Sequence, residues 1–317
     1  MEFKSLFNKS YFTDLRKNGN SPDLPHITFL LCGMLTALIT IFFITFLFHH
    51  AYPTFESQGI INFLTGNTWR YSDNIYGIRT FLLSTIIVTL ITMLIAVPLG
   101  IFTAIYLAEY ASERTANMIR PFVELLVGIP SVVYGIFGFL ILSDLLNKYF
   151  EQPVSQSLGF ISIFYDKSAN SGTGIMLAAL ILTIMILPTI VSISEYAMRS
   201  VPKEYSLGSF AIGTTHWETI RNIVLPAASS GIYTSVILGT MRAMGETMAV
   251  VMVIGIVYHV PDSIFSGGYP MTSKILADIG YHAAIPEHKS ALCAVAVVLF
   301  ALEILFVVIA RKIGGSK

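Results

Sequence analysis

Two opposite charges sit four residues apart in an apolar stretch, Leu238-Gly-Thr-Met-Arg242-Ala-Met-Gly-Glu246-Thr-Met-Ala-Val250. On a continuous helix that spacing puts Arg242 and Glu246 on one face. Each charge costs about 2.5–3.5 kcal/mol at the centre of a bilayer on insertion scales, and arginine does not escape by losing its proton. Thr247 adds a hydroxyl, and Gly239, Gly245 and Ala249 leave room around the pair. Two roles fit. The pair can fix helix packing or the position of a gate. Alternatively it lines a route for an anion, with Arg242 meeting the anion and Glu246 holding or releasing Arg242. Ionisable groups inside membrane helices are functional candidates by default, so the pathway role leads; direct ligand and gate element both stay open. Gly128-Ile129-Pro130-Ser131 is a second candidate, because proline frees a backbone carbonyl and Ser131 offers a hydroxyl where the chain is broken. A packing kink and a pathway lining suit it equally.

A polar island, Val201–Pro226, reads VPKEYSLGSFAIGTTHWETIRNIVLP between two apolar stretches. Its pattern is two short helices around a glycine. Gly213 suits the left-handed conformation that ends a helix. Thr215 and Glu218 form a Thr-x-x-Glu capping box that starts the next one. Ile220, Ile223 and Val224 give that second helix an apolar stripe, and Pro226 is expected to stop it. Such a unit on the water-facing side of a membrane protein is a docking surface.

The elements that must carry these residues follow from composition. Hydrophobic residues make up 54% of the 317-residue chain and charged residues 12%, against about 25% charged in soluble domains. The class is an all-α integral membrane protein. Six stretches reach the roughly 20 apolar residues a span requires: Ile27–Phe48, Ile78–Tyr110, Met118–Leu146, Gly174–Met198, Ser230–Tyr258 and Ser290–Ala310. The first, with His49, His50 and Tyr52 after it, is expected to be a retained helix, since no small-residue cleavage site follows. The organisation is an N-terminal tail (1–26), a first helix (27–48), a core (78–311) containing the 201–226 loop, and a short tail (312–317).

Basic residues set the orientation. Lys4, Lys9, Arg16, Lys17, Arg114, Arg120, Arg199, Lys203, Arg221, Arg311, Lys312 and Lys317 fall on one side, and Arg70, Arg79, Lys148, Lys167, Lys274 and Lys289 on the other. Both termini and the island are therefore expected in the cytoplasm. Arg120 with Glu124, and Glu195 with Arg199, share i,i+4 spacing near cytoplasmic ends, where snorkelling explains them. His49, His50, His259, His282 and His288 read as solvated outer-loop residues. Gly135, Gly138, Gly239 and Gly245 permit close helix approach.

Other chemistries find little support. The net formal charge is zero, so no bulk attraction to nucleic acid is implied. Cys32 and Cys293 both lie in apolar runs and read as small embedded hydrophobes, suggesting neither a disulfide nor a metal site. Gly208 to Gly213 imitates part of a phosphate loop, but Thr214 stands where the lysine belongs. No HExxH, GxSxG or Cys-x-x-Cys occurs. If ATP is used, another protein hydrolyses it.

The island resembles the coupling loop of ABC-importer permeases, Glu-Ala-Ala-x3-Gly-x9-Ile-x-Leu-Pro. Gly213, Ile223, Val224, Leu225 and Pro226 fit that frame, while Leu207, Gly208 and Ser209 stand where Glu-Ala-Ala is usual. The carboxylate is lost there, and Glu204 lies nearly one turn upstream. Five stretches are similar to the PstC-type permease family of bacterial phosphate importers: Ala96-Val-Pro-Leu-Gly100, Leu107-Ala-Glu-Tyr110, Val127-Gly-Ile-Pro-Ser-Val-Val-Tyr-Gly135, Leu187-Pro-Thr-Ile-Val-Ser-Ile-Ser-Glu195 and Arg242-Ala-Met-Gly-Glu-Thr-Met-Ala-Val250. The resemblance covers roughly 78–311 and implies a type I importer (MetI-like) core in the bacterial cytoplasmic membrane. It further implies a heterodimer with a sister PstA-type permease, two PstB-type ATPase subunits, and a periplasmic or lipid-anchored phosphate-binding protein. This chain would hold no cofactor, ATP and Mg being on the partner ATPase. The implied pathway or gating residues are Arg242, Glu246, Thr247 and Ser131. The implied ATPase-coupling residues are Leu207, Gly208, Ser209, Gly213, Thr214, Glu218, Ile223, Leu225 and Pro226. A permease for sulfate or molybdate, and a transporter driven by an ion gradient, are the competing readings; the second leaves the amphipathic island unexplained.

Overall fold

The computed structural model describes residues 24–165 and 172–314. Residues 1–23 and 315–317, most of the two expected tails, and Lys167 lie outside them. The chain divides after His50 into two compact units. In the first, residues 24–50 form one helix, part of α1 (Leu24–Gln58). Its apolar side chains, among them Phe29, Leu35 and Phe42, are exposed. Thr36, Thr40 and Thr45 each donate their hydroxyl to the carbonyl four residues back, at 2.8–2.9 Å. A helix surrounded by hydrocarbon needs its polar groups satisfied internally in this way.

The second unit starts at Ala51. A short helix α2 (Ile60–Thr65) leads into a hairpin of β1 (Trp69–Arg70) and β2 (Ile75–Tyr76), paired antiparallel with Trp69 opposite Tyr76. The long helices are α3 (Arg79–Tyr110), α5 (Ser131–Leu158), α6 (Ile175–Arg199), α8 (His216–Gly245) and α11 (Pro286–Gly314). Shorter ones are α4 (Glu113–Gly128), α7 (Lys203–Ala211), α9 (Met248–Val253) and α10 (Met271–His282). With α1, six helices are long and apolar enough to cross a membrane.

Several boundaries differ from the sequence expectation. The third span does not start at Met118: α4 ends at Gly128, Ile129 turns to φ −76°, ψ 125°, and the spanning helix starts after Pro130. A residue before proline is driven out of the helical region, so the chain breaks there. Pro226 does not stop the island's second helix, which runs on into the fifth span. A π turn over Ile220–Val224 precedes the proline, and its wider ladder absorbs the missing N–H. The 201–226 segment is thus helix α7, a turn, and the first turns of α8. The fifth span in turn stops at Gly245, well before Tyr258. The first helix continues past Phe48 to Gln58.

The core is built on α6, the most buried of the spans. Ala178 and Leu182 of α6 pack with Val88 of α3 and with Val250 and Val253 of α9. Towards the island, Met198 meets Ala104, Ile105, Ile220, Val224 and Ala228. At mid-helix Ile190 is clamped between two glycines. A Cβ added to Gly100 would lie 2.6 Å from Ile190 Cγ2, and one added to Gly239 would lie 3.0 Å from its Cγ1. Small residues give this bundle its close contacts, because lipid supplies no hydrophobic drive between helices.

Residues 254–270 are irregular, and the stretch 263–270 is largely buried. Several backbone polar groups in and beside the segment have partners elsewhere in the fold. Tyr269 N–H donates to Ser84 Oγ at 3.1 Å and Met271 N–H to Thr85 Oγ1 at 3.0 Å. Gly174, Ile175 and Met176, at the start of α6, donate to the carbonyls of Val253, Ser266 and Ile264. The hydroxyls of α3 and the open N–H groups of α6 therefore hold this segment, which is the condition for non-helical backbone at such depth.

Candidate functional site

The helix that carries Arg242 ends at Gly245. Glu246 is extended (φ −69°, ψ 132°), and α9 begins two residues later. The expected shared helical face is therefore absent, and among the described residues Arg242 and Glu246 form no ion pair. Each has another role. Arg242 Nη1 donates to Thr189 Oγ1 of α6 at 3.3 Å. Glu246 Oε1 accepts from Thr247 N–H at 3.2 Å and Ala249 N–H at 3.4 Å, which satisfies the open start of α9. The Glu246 carbonyl, freed by the break, accepts from Thr272 Oγ1 at 3.1 Å, and Thr247 Oγ1 donates to the Gly245 carbonyl at 3.2 Å.

A cavity of about 10 Å³ lies against the break, lined by Thr85, Thr89, Glu246, Pro270 and Thr272 among others. That is room for about one water. Ser131 opens α5 beside the other break. There Tyr134 OH donates to the Leu126 carbonyl at 2.9 Å and bridges the interruption. Gly135 packs against Ala249 and Met252, where an added Cβ would lie 2.7 Å from Met252 Sδ. The two interrupted helices thus meet, α5 against α9, with Tyr134 and Ala249 in one buried cluster.

The island forms as a helix–turn–helix. Gly213 takes φ +86°, a left-handed value that other residues rarely adopt. Thr215 Oγ1 accepts from Glu218 N–H at 3.3 Å, and Glu218 Oε2 accepts from Thr215 N–H at 2.8 Å, completing the capping box. Behind the turn, Ser209, Thr214 and Thr219 share hydroxyl contacts of 2.6–3.0 Å, and Thr214 donates to the Ser209 carbonyl. Ser209 and Thr214 therefore build the turn from within, whereas Leu207, Gly208, Gly213, Glu218 and Pro226 are exposed. Ile223 and Leu225 are half-buried. Tyr205, Leu207, Ile212 and Trp217 present an exposed apolar surface. His216 reaches Glu109 at the end of α3 (3.7 Å) and meets Tyr110 edge-on, so the island is tied to a second span.

Two polar clusters form across elements. Arg120 turns away from Glu124 and donates from Nε and Nη2 to Glu195 Oε1 at 2.9 and 2.7 Å, while Arg199 reaches the same oxygen at 3.3 Å. His282 and His288 are not isolated loop residues: their Nδ1 atoms approach to 3.2 Å and His282 stacks on Tyr71 at 3.7 Å. Sequence reasoning missed Glu303, Thr85, Thr272 and Lys274. Glu303 lines a groove of about 530 Å³ between α8 and α11, with Tyr233, Met241 and Arg311. Its Oε1 would lie 3.9 Å from a Cβ on Gly245. A lone acid in an apolar span is a signal that could have found it. The hydroxyls at Ser84, Thr85, Thr89 and Thr92 recur at helical spacing, a second legible signal.

A mostly helical bundle in which two interrupted helices meet, with a helix–turn–helix beside them, fits a transport permease. Residues 96–314 match the family of binding-protein-dependent transport system inner membrane components, and the chain belongs to that family. It is a multi-pass inner-membrane permease of the ABC importer class. It is 35% identical to a probable ABC transporter permease protein, YqgH, of Bacillus subtilis (strain 168), over 90% of this chain and 88% of the relative. It is 31% identical to the phosphate transport system permease protein PstC of Pasteurella multocida (strain Pm70), over 90% and 91%. Among solved structures, a bacterial ABC transporter involved in import of the acidic polysaccharide alginate superposes with a TM-score of 0.59 at 15% identity, covering 98% of this chain and all of that one. The inward-facing MetNI methionine ABC transporter superposes with a TM-score of 0.50 at 18% identity, covering 76% and 94%. These two likenesses concern the fold.

Proposed function

We propose that this chain is the transmembrane permease subunit of an ATP-driven phosphate importer. It forms half of the translocation route and couples through residues 201–226 to a separate ATPase. The observation that carries the reading is a permanently charged guanidinium, Arg242, one turn before a break in a membrane helix. A guanidinium offsets the charge of an oxyanion in a low-dielectric path, and interrupted helices are where transporters place their substrates. Glu246, Thr247 and Ser131 flank the two breaks as gate or lining residues. Similarity to PstC permeases supports phosphate as the oxyanion.

In this reading a sister PstA-type permease completes a heterodimer, and two PstB-type ATPase subunits carry ATP and Mg. A periplasmic or lipid-anchored phosphate-binding protein delivers substrate. Both termini and the island face the cytoplasm. The exposed apolar surface of the island fits a groove on the ATPase, and closure of the ATPase pair rocks the bundle and opens the route at Glu246.

Labelled phosphate uptake tests the reading, in cells lacking the chain and in cells with it restored. Uptake is expected to require the chain and ATP and to yield to arsenate but not to sulfate or molybdate. Arg242→Gln is expected to abolish it at normal assembly. Uptake that survives ATP depletion, or an Arg242→Gln variant with normal uptake, would overturn it.

A further inference from the structure

Lys274 is 1% exposed, in the second turn of α10. Its Nζ contacts Asp278 Oδ2 at 2.6 Å. It also lies over five aromatic rings: Trp69 (4.8 Å), Phe81 (5.2 Å), Tyr258 (5.2 Å), Tyr71 (5.5 Å) and Tyr269 (5.5 Å). These rings come from the β-hairpin, the start of α3 and the irregular 254–270 segment. Tyr71 OH donates to Asp278 Oδ2, the same oxygen that pairs with Lys274. One ammonium therefore joins two stretches far apart in sequence, residues 69–81 and residues 258–278. Burial pushes the lysine's pKa down, and Asp278 opposes that shift. Aromatic faces and one carboxylate are the surroundings that keep a desolvated ammonium charged.

The same helix reaches the helix break. Two residues before Lys274, Thr272 Oγ1 donates to the Glu246 carbonyl, and Met271 N–H is held by Thr85. α10 is thus a short helix with one end on the interrupted helix and its body in the cage.

We infer that Lys274 is a positioning residue for transport: its caged ammonium holds α10 so that Thr272 braces the Glu246 break in the closed route. The inference rests on the reading of that break as the pathway. Releasing the cage frees α10 and, through Thr272, the carbonyl that keeps α8 and α9 in their present register.

The test uses the whole transporter in cells, with uptake kinetics and the amount of assembled protein both measured. Lys274→Met is expected to lower the maximal uptake rate about tenfold at unchanged assembly, with Lys274→Arg restoring most of it because a guanidinium keeps the charge and the ring contacts. Where Lys274→Met fails to assemble, Lys274→Met with Asp278→Asn removes both charges and leaves no buried carboxylate unpaired. Thr272→Val supplies the specific readout. If Lys274 acts through Thr272, Lys274→Met with Thr272→Val is no worse than the stronger single change. Effects that multiply, or normal kinetics in the doubly neutral variant, would overturn the inference. If Arg242→Gln loses uptake while these variants behave normally, this inference alone fails. If Arg242→Gln transports normally, the pathway reading fails and the inference with it.

Discussion

Glu195→Gln is the perturbation whose size follows most directly from the structure. One Glu195 oxygen accepts three N–H groups, two from Arg120 and one from Arg199. The Glu195 side chain is 7% exposed, Arg120 28% and Arg199 46%. Breaking a fully buried ion pair costs about 3–5 kcal/mol and an exposed one about 0–1 kcal/mol. Half-exposed arginines place this case at about 1.5–2.5 kcal/mol by interpolation. Helix α4 leans on α6 through this contact and through a small apolar cluster in which its Ala116, Ile119 and Val123 meet Leu107 of α3 and Val191 of α6. A neutral amide keeps the shape and loses the charge-assisted bonds. The opening of α4 is then expected to become about 10- to 60-fold more populated, since about 1.4 kcal/mol is a factor of ten. Amide hydrogen exchange on the purified transporter in nanodiscs reads this directly in peptides spanning Met118–Leu125. Arg120→Gln alone is expected to give a similar rise, and the double variant little more. Unchanged exchange in Glu195→Gln, or a double variant whose effects multiply, would show that α4 is held by something else.

Further outcomes follow from single contacts. Gly213→Ala forces a side chain into φ +86°, at about 1–2 kcal/mol; it is expected to leave the helices intact but lower substrate-stimulated ATP hydrolysis, measured on the reconstituted transporter. Gly100→Ala places a Cβ 2.6 Å from Ile190 Cγ2; a strain of about 1–3 kcal/mol should lower thermal stability, and adding Ile190→Ala should recover part of it. Thr85→Val removes the acceptor for Met271 N–H and leaves a buried donor unpaired at about 1–3 kcal/mol. Limited proteolysis should then cut the 254–270 segment faster, with the rest of the chain unaffected.

Some of this protein was written in short stretches of sequence. The spans follow from apolar length, because the bilayer imposes it. The turn of the island follows from Gly213 and the Thr215–Glu218 box, because left-handed backbone and capping are decided within a few residues. Lys274 and Asp278 were also within local reach at i,i+4, although nothing nearby announced that the pair would be buried. What the tertiary structure decided lies between segments. Helical periodicity runs through Gly245-Glu246-Thr247 without a proline, so Arg242 and Glu246 read as one face. The break exists with a hydroxyl from Thr272 on its open carbonyl and the Glu246 carboxylate capping the next helix. Arg120 had a carboxylate four residues away and took Glu195, 75 residues on, because the buried oxygen gains more from a bidentate-capable donor than the exposed one does. The aromatic cage draws rings from residues 69 to 269 around one ammonium. Local backbone energetics are encoded locally. The satisfaction of a buried charge or an open carbonyl depends on whichever group the packed chain brings within about 3 Å, and only the folded bundle determines that.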